Sequence, residues 1–124
     1  MKKKILVIED DEDLVRVIEM KLRQEGYEVD HAYDGETALK KISEFKPDLL
    51  ILDVMIPKID GVSLNNKLKE DPKTRDLPII VLTGKIGLKE LFMVKDQLTV
   101  SAYYQKPILL STLVDKIKEL LKEK

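Results

Sequence analysis

The chain has 124 residues, 44% of them hydrophobic and 36% charged, which predicts one soluble domain with its own core. It contains no cysteine, which excludes a disulfide scaffold, a cysteine-ligated zinc site and a thiol nucleophile. Lys and Arg number 22 against 23 for Asp and Glu, a net charge of -1, so no overall basic field attracts nucleic acid or an anionic membrane.

The predicted elements alternate along the chain between short apolar strands and amphipathic helices. Apolar runs bounded by acids, glycine or proline predict five strands, at residues 5–8, 27–32, 49–52, 79–82 and about 102–104. Helical spacing predicts five helices, at residues 12–25, around 38–42, around 64–68, at about 88–97 and at 110–121. This alternation, with several strands apolar throughout, indicates an α/β fold whose parallel sheet is covered on both faces.

The first predicted helix shows how these elements are delimited. Its apolar residues at helical spacing are Leu14, Val17, Ile18 and Leu22, and Gly26 is a typical helix stop. No run in the chain approaches the ~18 apolar residues of a membrane span, and we expect a cytoplasmic protein.

The residues that follow the strands are expected to carry the chemistry. In a doubly wound parallel sheet the loops after the strands share one edge, and sites form where the strand order reverses. The polar residues at these positions are Glu9, Asp10, Asp53, Thr83, Gly84, Gln105 and Lys106. We therefore expect their side chains to lie close together at one edge of the sheet.

Three of these acids, Glu9, Asp10 and Asp53, predict a cation site. Two carboxylate charges ~4 Å apart repel by about 4 kcal/mol at an effective dielectric of 20, so such a cluster needs a cation or a shared proton. Oxygen ligands with no histidine nearby favour Mg²⁺. The neighbouring acids at residues 11–13 are interpreted as capping or solvated groups, because acids in a first turn complement the helix dipole.

Asp53 ends a wholly apolar run, which makes it a candidate nucleophile. A carboxylate can accept a phosphoryl group as an acyl phosphate, and this transfer depends mainly on positioning and charge neutralisation. Lys106 offers a positive charge, Thr83 offers a hydroxyl donor, and Gly84 leaves room for the group. His31, the single histidine, lies on the polar second strand and is interpreted as a surface residue.

Four segments together resemble the receiver domain of two-component response regulators. They are residues 5–11, 53–61 and 78–84 and the pair Lys106-Pro107, and the resemblance covers residues 1–124 as one domain. It implies a five-stranded parallel sheet of order 2-1-3-4-5 with five helices, the flavodoxin-like receiver fold. It also implies a signalling switch that promotes only its own phosphorylation and dephosphorylation, without direct binding to nucleic acid or membranes.

The resemblance implies that Asp53 is phosphorylated by a histidine kinase or a phosphotransfer protein. The implied ligands of Mg²⁺ are Glu9, Asp10, Asp53 and the backbone carbonyl of Met55. In the family, the residues two after the phosphorylated Asp and two after the Thr tune self-dephosphorylation. These residues are Met55 and Lys85 here, and neither is suited to orienting an attacking water, so we expect slow loss of the phosphoryl group.

The resemblance also implies a switch at the last strands. Lys106, across a cis bond to Pro107, and Thr83 and Gly84 would contact the phosphoryl group. Thr83 would shift toward the group, and the ring of Tyr103 would turn inward with it. The C-terminal face, made of the fourth helix, fifth strand and fifth helix, would then change for a downstream protein target or a fused output domain.

The stretch before the switch position departs from the family pattern. Residues 99–102 read Thr-Val-Ser-Ala where the family usually has a Gly-Ala pair and small or acidic residues. A second aromatic residue, Tyr104, follows Tyr103, and Ile108 replaces the usual Phe. Three explanations stay open: an unusual partner, an altered switch, or extra core packing.

Three other functions are weighed against the switch. A Mg²⁺-dependent phosphohydrolase acting through an aspartyl phosphate would carry an acid/base Asp where Met55 stands. A flavodoxin-like cofactor site would need a phosphate loop after the first strand, where five acids at residues 9–13 would repel phosphate. An adaptor that is never phosphorylated would have no need of the set Asp10, Asp53, Thr83 and Lys106.

Overall fold

Strands and helices alternate along the computed structural model, which describes residues 2–53, 61–84 and 101–122. The strands are β1 (Lys4–Ile8), β2 (Glu28–Ala32), β3 (Leu49–Leu52), β4 (Ile79–Thr83) and β5 (Ala102–Gln105). The helices in these ranges are α1 (Glu12–Gln24), α2 (Gly35–Phe45), α3 (Gly61–Glu70) and α4 (Leu110–Leu120). The helix predicted at about 88–97 lies outside the described residues.

The five strands form one parallel sheet of order β2-β1-β3-β4-β5, which confirms the order that the resemblance implies. The chain runs from β1 outward to β2 and returns past β1 to β3, so the strand order reverses between β1 and β3. Ile8 pairs in register with Leu52, and the next residues of both strands therefore stand side by side. A parallel sheet places its site at such a reversal, beyond the carboxyl ends of the strands.

Backbone hydrogen bonds join β1 to β3 at both ends of the pair. The Asp53 N–H donates to the Ile8 carbonyl at 2.9 Å, and the Asp48 N–H donates to the Lys4 carbonyl at 2.7 Å. The Lys4 N–H in turn donates to the Asp48 carboxylate at 2.8 Å. These bonds hold β1 and β3 in register at both ends of the pair.

Strand alternation divides the core into two layers, one on each face of the sheet. Ile5 and Val7 point to one face, Leu6 and Ile8 to the other, and all four are fully buried. The first face is covered by α1 and α4, and the second by α2 and α3. The helix residues that bury these faces are Ile18, Leu22, Leu113 and Ile117 on the first, and Ala38, Ile42, Leu64 and Leu68 on the second.

The ends of α1 follow the chemistry of its sequence. Asp11 is the N-cap, and its Oδ1 accepts the N–H groups of Asp13 at 3.1 Å and Leu14 at 3.2 Å, which confirms a capping role for this acid. After the helix, Gly26 has φ 93°, in the left-handed region that favours glycine. In the described part of the chain, no helix has the length and apolarity needed to cross a membrane.

The buried face of α1 differs in one respect from the predicted one. Val17 belongs to the apolar pattern that predicts the helix, yet it is 48% exposed, whereas Glu19 is buried. Glu19 faces the edge of the sheet, where its carboxylate contacts Arg23 and His31. A paired acid can occupy a buried position that apolar periodicity alone assigns to a hydrophobic residue.

Candidate functional site

Three carboxyl groups come together where β1 and β3 end. Glu9 and Asp53 directly follow the register partners Ile8 and Leu52. One carboxylate oxygen from each of Glu9, Asp10 and Asp53 lies within 4.8 Å of the others. Glu9 is 3% exposed and Asp53 is 5% exposed, whereas Asp10 is exposed. The cluster therefore has a buried floor and a side that is open to solvent.

Lys106 follows β5 and reaches across β4 to the acids. Its Nζ contacts Oε1 of Glu9 and lies 3.2 Å from Oδ2 of Asp53. The peptide bond from Lys106 to Pro107 is cis, as the resemblance implies. One ammonium group thus neutralises part of the charge of two buried carboxylates. The contact with Glu9 is not part of the sequence-based prediction, which pairs Lys106 with a phosphoryl group.

Burial and neighbouring charges shift the pKa values of Glu9 and Lys106. Burial raises the pKa of Glu9 to about 7, even though hydrogen bonds from Lys106 and from the Asp11 N–H oppose the rise. Burial alone would lower the pKa of Lys106, but its hydrogen bond to Glu9 and the charges of Asp53 and Glu9 raise it above its usual value. Lys106 is therefore charged at neutral pH, while Glu9 titrates near neutrality.

The donor set of the cluster fits a small, hard cation. All three groups offer carboxylate oxygens, the ligand type that Mg²⁺ prefers, and among the described residues no histidine belongs to the cluster. Burial raises the pKa of Glu9 despite its contact with Lys106, so a divalent cation bound here would stabilise the ionised carboxylate. Met55, whose carbonyl the resemblance adds to this set, lies outside the described residues.

The remaining predicted residues fall at the same edge or outside the described part. Thr83 ends β4 and pairs in register with Gln105, so the residues that follow both strands are neighbours. At Gly84, an added Cβ would meet no atom of the described residues within 4 Å. The side chain of Thr83, together with Met55 and Lys85, lies beyond what the structure describes.

The two tyrosines of β5 pack on opposite faces of the sheet. Tyr103 contacts the core layer that contains Leu52 and Val81, and burial raises its pKa. Tyr104 packs against the layer under α1 and α4, together with Ile108. Both departures from the family pattern at positions 104 and 108 thus contribute to core packing, on the face away from Tyr103.

His31 does not belong to the acid cluster, and it is not an isolated surface residue either. Its Nδ1 lies 3.2 Å from the buried Glu19 carboxylate, and its ring centroid lies 4.8 Å from that of Tyr33. Glu19 also pairs with Arg23 one helical turn away. Sequence reasoning missed this network; the i,i+4 spacing of Glu19 and Arg23 was the one available signal.

Comparison with known proteins gives matches over nearly the whole chain. The model of the response regulator receiver domain family matches residues 5–118. The response regulator PleD from Caulobacter vibrioides is 46% identical over 87 residues, which cover 70% of this chain and 19% of that protein. The chain spans about half or less of the length of the curated relatives that it matches.

Solved structures with the same fold include two receiver domains of sensor kinases. That of a signal transduction histidine kinase from Syntrophus aciditrophicus has a TM-score of 0.90 and 29% identity, covering 97% of this chain and 90% of that one. That of the sensor histidine kinase PA1611 from Pseudomonas aeruginosa has a TM-score of 0.88 and 25% identity, covering 99% and 100%. The PA1611 structure has a magnesium ion coordinated in its active site cleft.

Proposed function

The chain belongs to the response regulator receiver domain family, and on that premise we propose that it is a signalling switch controlled by phosphorylation of Asp53. The observation that carries the proposal is the contact of Lys106 with both Asp53 and Glu9 at the adjoining ends of β1 and β3. A carboxylate with a fixed cation beside it is placed to take up a phosphoryl group and to hold its added charge.

The phosphoryl donor is a histidine kinase or a phosphotransfer protein. An oxygen of Asp53 forms a bond to phosphorus while the phosphorus–nitrogen bond of the donor phosphohistidine breaks, and the donor imidazole keeps the electron pair. Lys106, which lies 3.2 Å from Asp53 Oδ2, then meets the phosphoryl oxygens. Its raised pKa supports this role, because the ammonium keeps its charge throughout the physiological range.

The acid cluster is proposed to hold Mg²⁺ through Glu9, Asp10, Asp53 and the Met55 carbonyl. Bound there, the metal supplies positive charge that offsets the phosphoryl oxygens during transfer. The carboxylate-only donor set and the raised pKa of Glu9 support this assignment. The magnesium ion reported for the PA1611 receiver domain is consistent with it.

The signal leaves the site through the last two strands. Thr83 and Gly84, at the end of β4, contact the phosphoryl group, and Tyr103 responds as the second switch residue. The face that changes comprises the helix predicted at about 88–97, β5 and α4, and it controls a downstream protein or an output domain. The register that joins Thr83 to Gln105 supports this route, because a shift at the end of β4 is passed directly to β5.

We place this switch in the cytoplasm, without direct contact with nucleic acid or membranes and without catalysis on other substrates. Incubation with acetyl phosphate and Mg²⁺ followed by intact-mass spectrometry tests the proposal. We expect one added phosphoryl group, absent from Asp53→Asn and present in the control Asp71→Asn, whose residue is exposed, follows α3 and does not belong to the cluster.

Other results of this experiment would point to a different function or to a different acceptor residue. Failure of the wild-type chain to gain the group would favour an adaptor that is never phosphorylated. Continuous release of phosphate from an added phosphate ester would favour a phosphohydrolase. An adduct that persists in Asp53→Asn would move the acceptor to another residue.

A further inference from the structure

The outer edge of β2 is a feature that the proposed switch does not use. β2 ends the sheet order, and β1 is its neighbour on the inner side. The Glu28 N–H and the Ala32 carbonyl bond toward β1. Because the backbone groups of a parallel strand alternate in direction, those of Val29 and His31 point away from the sheet. An edge of this kind is a template on which another strand can pair.

Side chains from both helical layers bond to these outward groups. Arg23 of α1 donates from Nη2 to the Val29 carbonyl at 3.3 Å. Lys41 of α2 donates from Nζ to the His31 carbonyl at 2.6 Å. Asp30 accepts the His31 N–H at 2.8 Å and also accepts from Lys41 at 3.1 Å. The N–H and the carbonyl of His31, and the carbonyl of Val29, are thereby hydrogen-bonded to side chains.

These side chains are themselves held in place. The carboxylate of the buried Glu19 lies 3.3 Å from Arg23 Nη2 and 3.2 Å from His31 Nδ1, and so it keeps the guanidinium over the strand. On the opposite face of the sheet, Asp30 Oδ1 lies 3.1 Å from Lys41 Nζ and holds that ammonium against the strand. An approaching strand would have to break these bonds and then bury two cations beside its own backbone, which is costly.

We propose that Arg23, Asp30 and Lys41 form an edge cover that prevents a second copy of this chain from pairing its β2 with this one. The partner is a second copy because two β2 edges related by a two-fold axis are self-complementary. The cover acts whether or not Asp53 is phosphorylated. Association of this domain through the β2 edge is thereby prevented.

The test compares two double variants with equal changes in charge. Arg23→Ala with Lys41→Ala removes both cations of the cover and leaves Asp30 in place, whereas Arg16→Ala with Lys40→Ala removes exposed residues of the same two helices. Sedimentation velocity over the micromolar to millimolar range measures self-association. We expect the dimer dissociation constant of the cover variant to fall at least about tenfold below that of the control variant and the wild type.

A second readout locates the contact. In the cover variant, hydrogen exchange of the Val29 and His31 amides should slow as the protein concentration rises. Absence of a dimer, equal association of the control variant, or a dimer that leaves both amides unchanged would each overturn the proposal. If the double variant loses its cooperative thermal transition, Lys41→Met, which keeps the apolar stem, is put through the same two measurements and judged by the same outcomes.

Discussion

Mg²⁺ binding is expected to weaken about tenfold when the pH falls from about 8 to about 6, because Glu9 must lose its proton before it binds a cation. Burial raises the pKa of Glu9 to about 7. With that pKa, about nine-tenths of the Glu9 carboxyl groups are ionised at pH 8 and about one-tenth at pH 6. The apparent affinity follows the ionised fraction, so binding strengthens as the pH rises and levels off above about pH 8.

Calorimetric titration with MgCl₂ in two buffers of different ionisation enthalpy measures both the affinity and the protons released. Near pH 6, each Mg²⁺ bound should release about one proton. Glu9→Gln should bind more weakly and lose this pH dependence, whereas Glu12→Gln, at an exposed acid in the first turn of α1, should keep it. Equal affinity at both pH values in the wild type, or a pH dependence that survives in Glu9→Gln, would refute the reasoning.

Three further predictions concern stability and signal lifetime. Asn65→Leu should stabilise the fold by about 1–2 kcal/mol in urea unfolding, because Asn65 is buried and the described residues offer its Oδ1 no hydrogen-bond partner. A loss of stability would count against this explanation. Asp11→Ala should cost about 1 kcal/mol in thermal unfolding through loss of the α1 cap, and Asp13→Ala less than half of that; equal losses would contradict the capping assignment. The phosphorylated chain should lose its group slowly, and Met55→Asn should speed the loss by about tenfold, followed by mass spectrometry; wild-type decay as fast as in chemotaxis regulators would contradict it.

The convergence of Glu9 and Asp53 could be predicted from the sequence because it follows from topology. Each ends a wholly apolar run, and the carboxyl ends of neighbouring parallel strands meet at one edge. The end of α1 was predictable for a similarly local reason, since Gly26 supplies the left-handed backbone that other residues adopt at a cost. In both cases one strong constraint acts on residues that are close in the chain or fixed by strand order.

The contact between Lys106 and Glu9 could not be predicted in the same way. Lys106 follows β5 and Glu9 follows β1, two strands lie between them in the sheet, and the contact depends on sheet twist and on a flexible side chain. Burial of Glu19 was missed because apolar periodicity carries no information about a carboxylate that pairs with Arg23 and His31. Contacts of this kind arise from tertiary packing, and only coordinates reveal them.

The backbone bonds at both ends of the β1–β3 pair have a consequence for motion within the domain. The amides of Asp48 and Asp53 both donate to β1, and the strand between them carries a buried layer on each face. Backbone bonded in this way opens less readily than groups near an exposed edge. The backbone of Asp53, the proposed phosphoacceptor, is therefore tied to β1. A rearrangement that follows the proposed phosphorylation would move other groups around this fixed point.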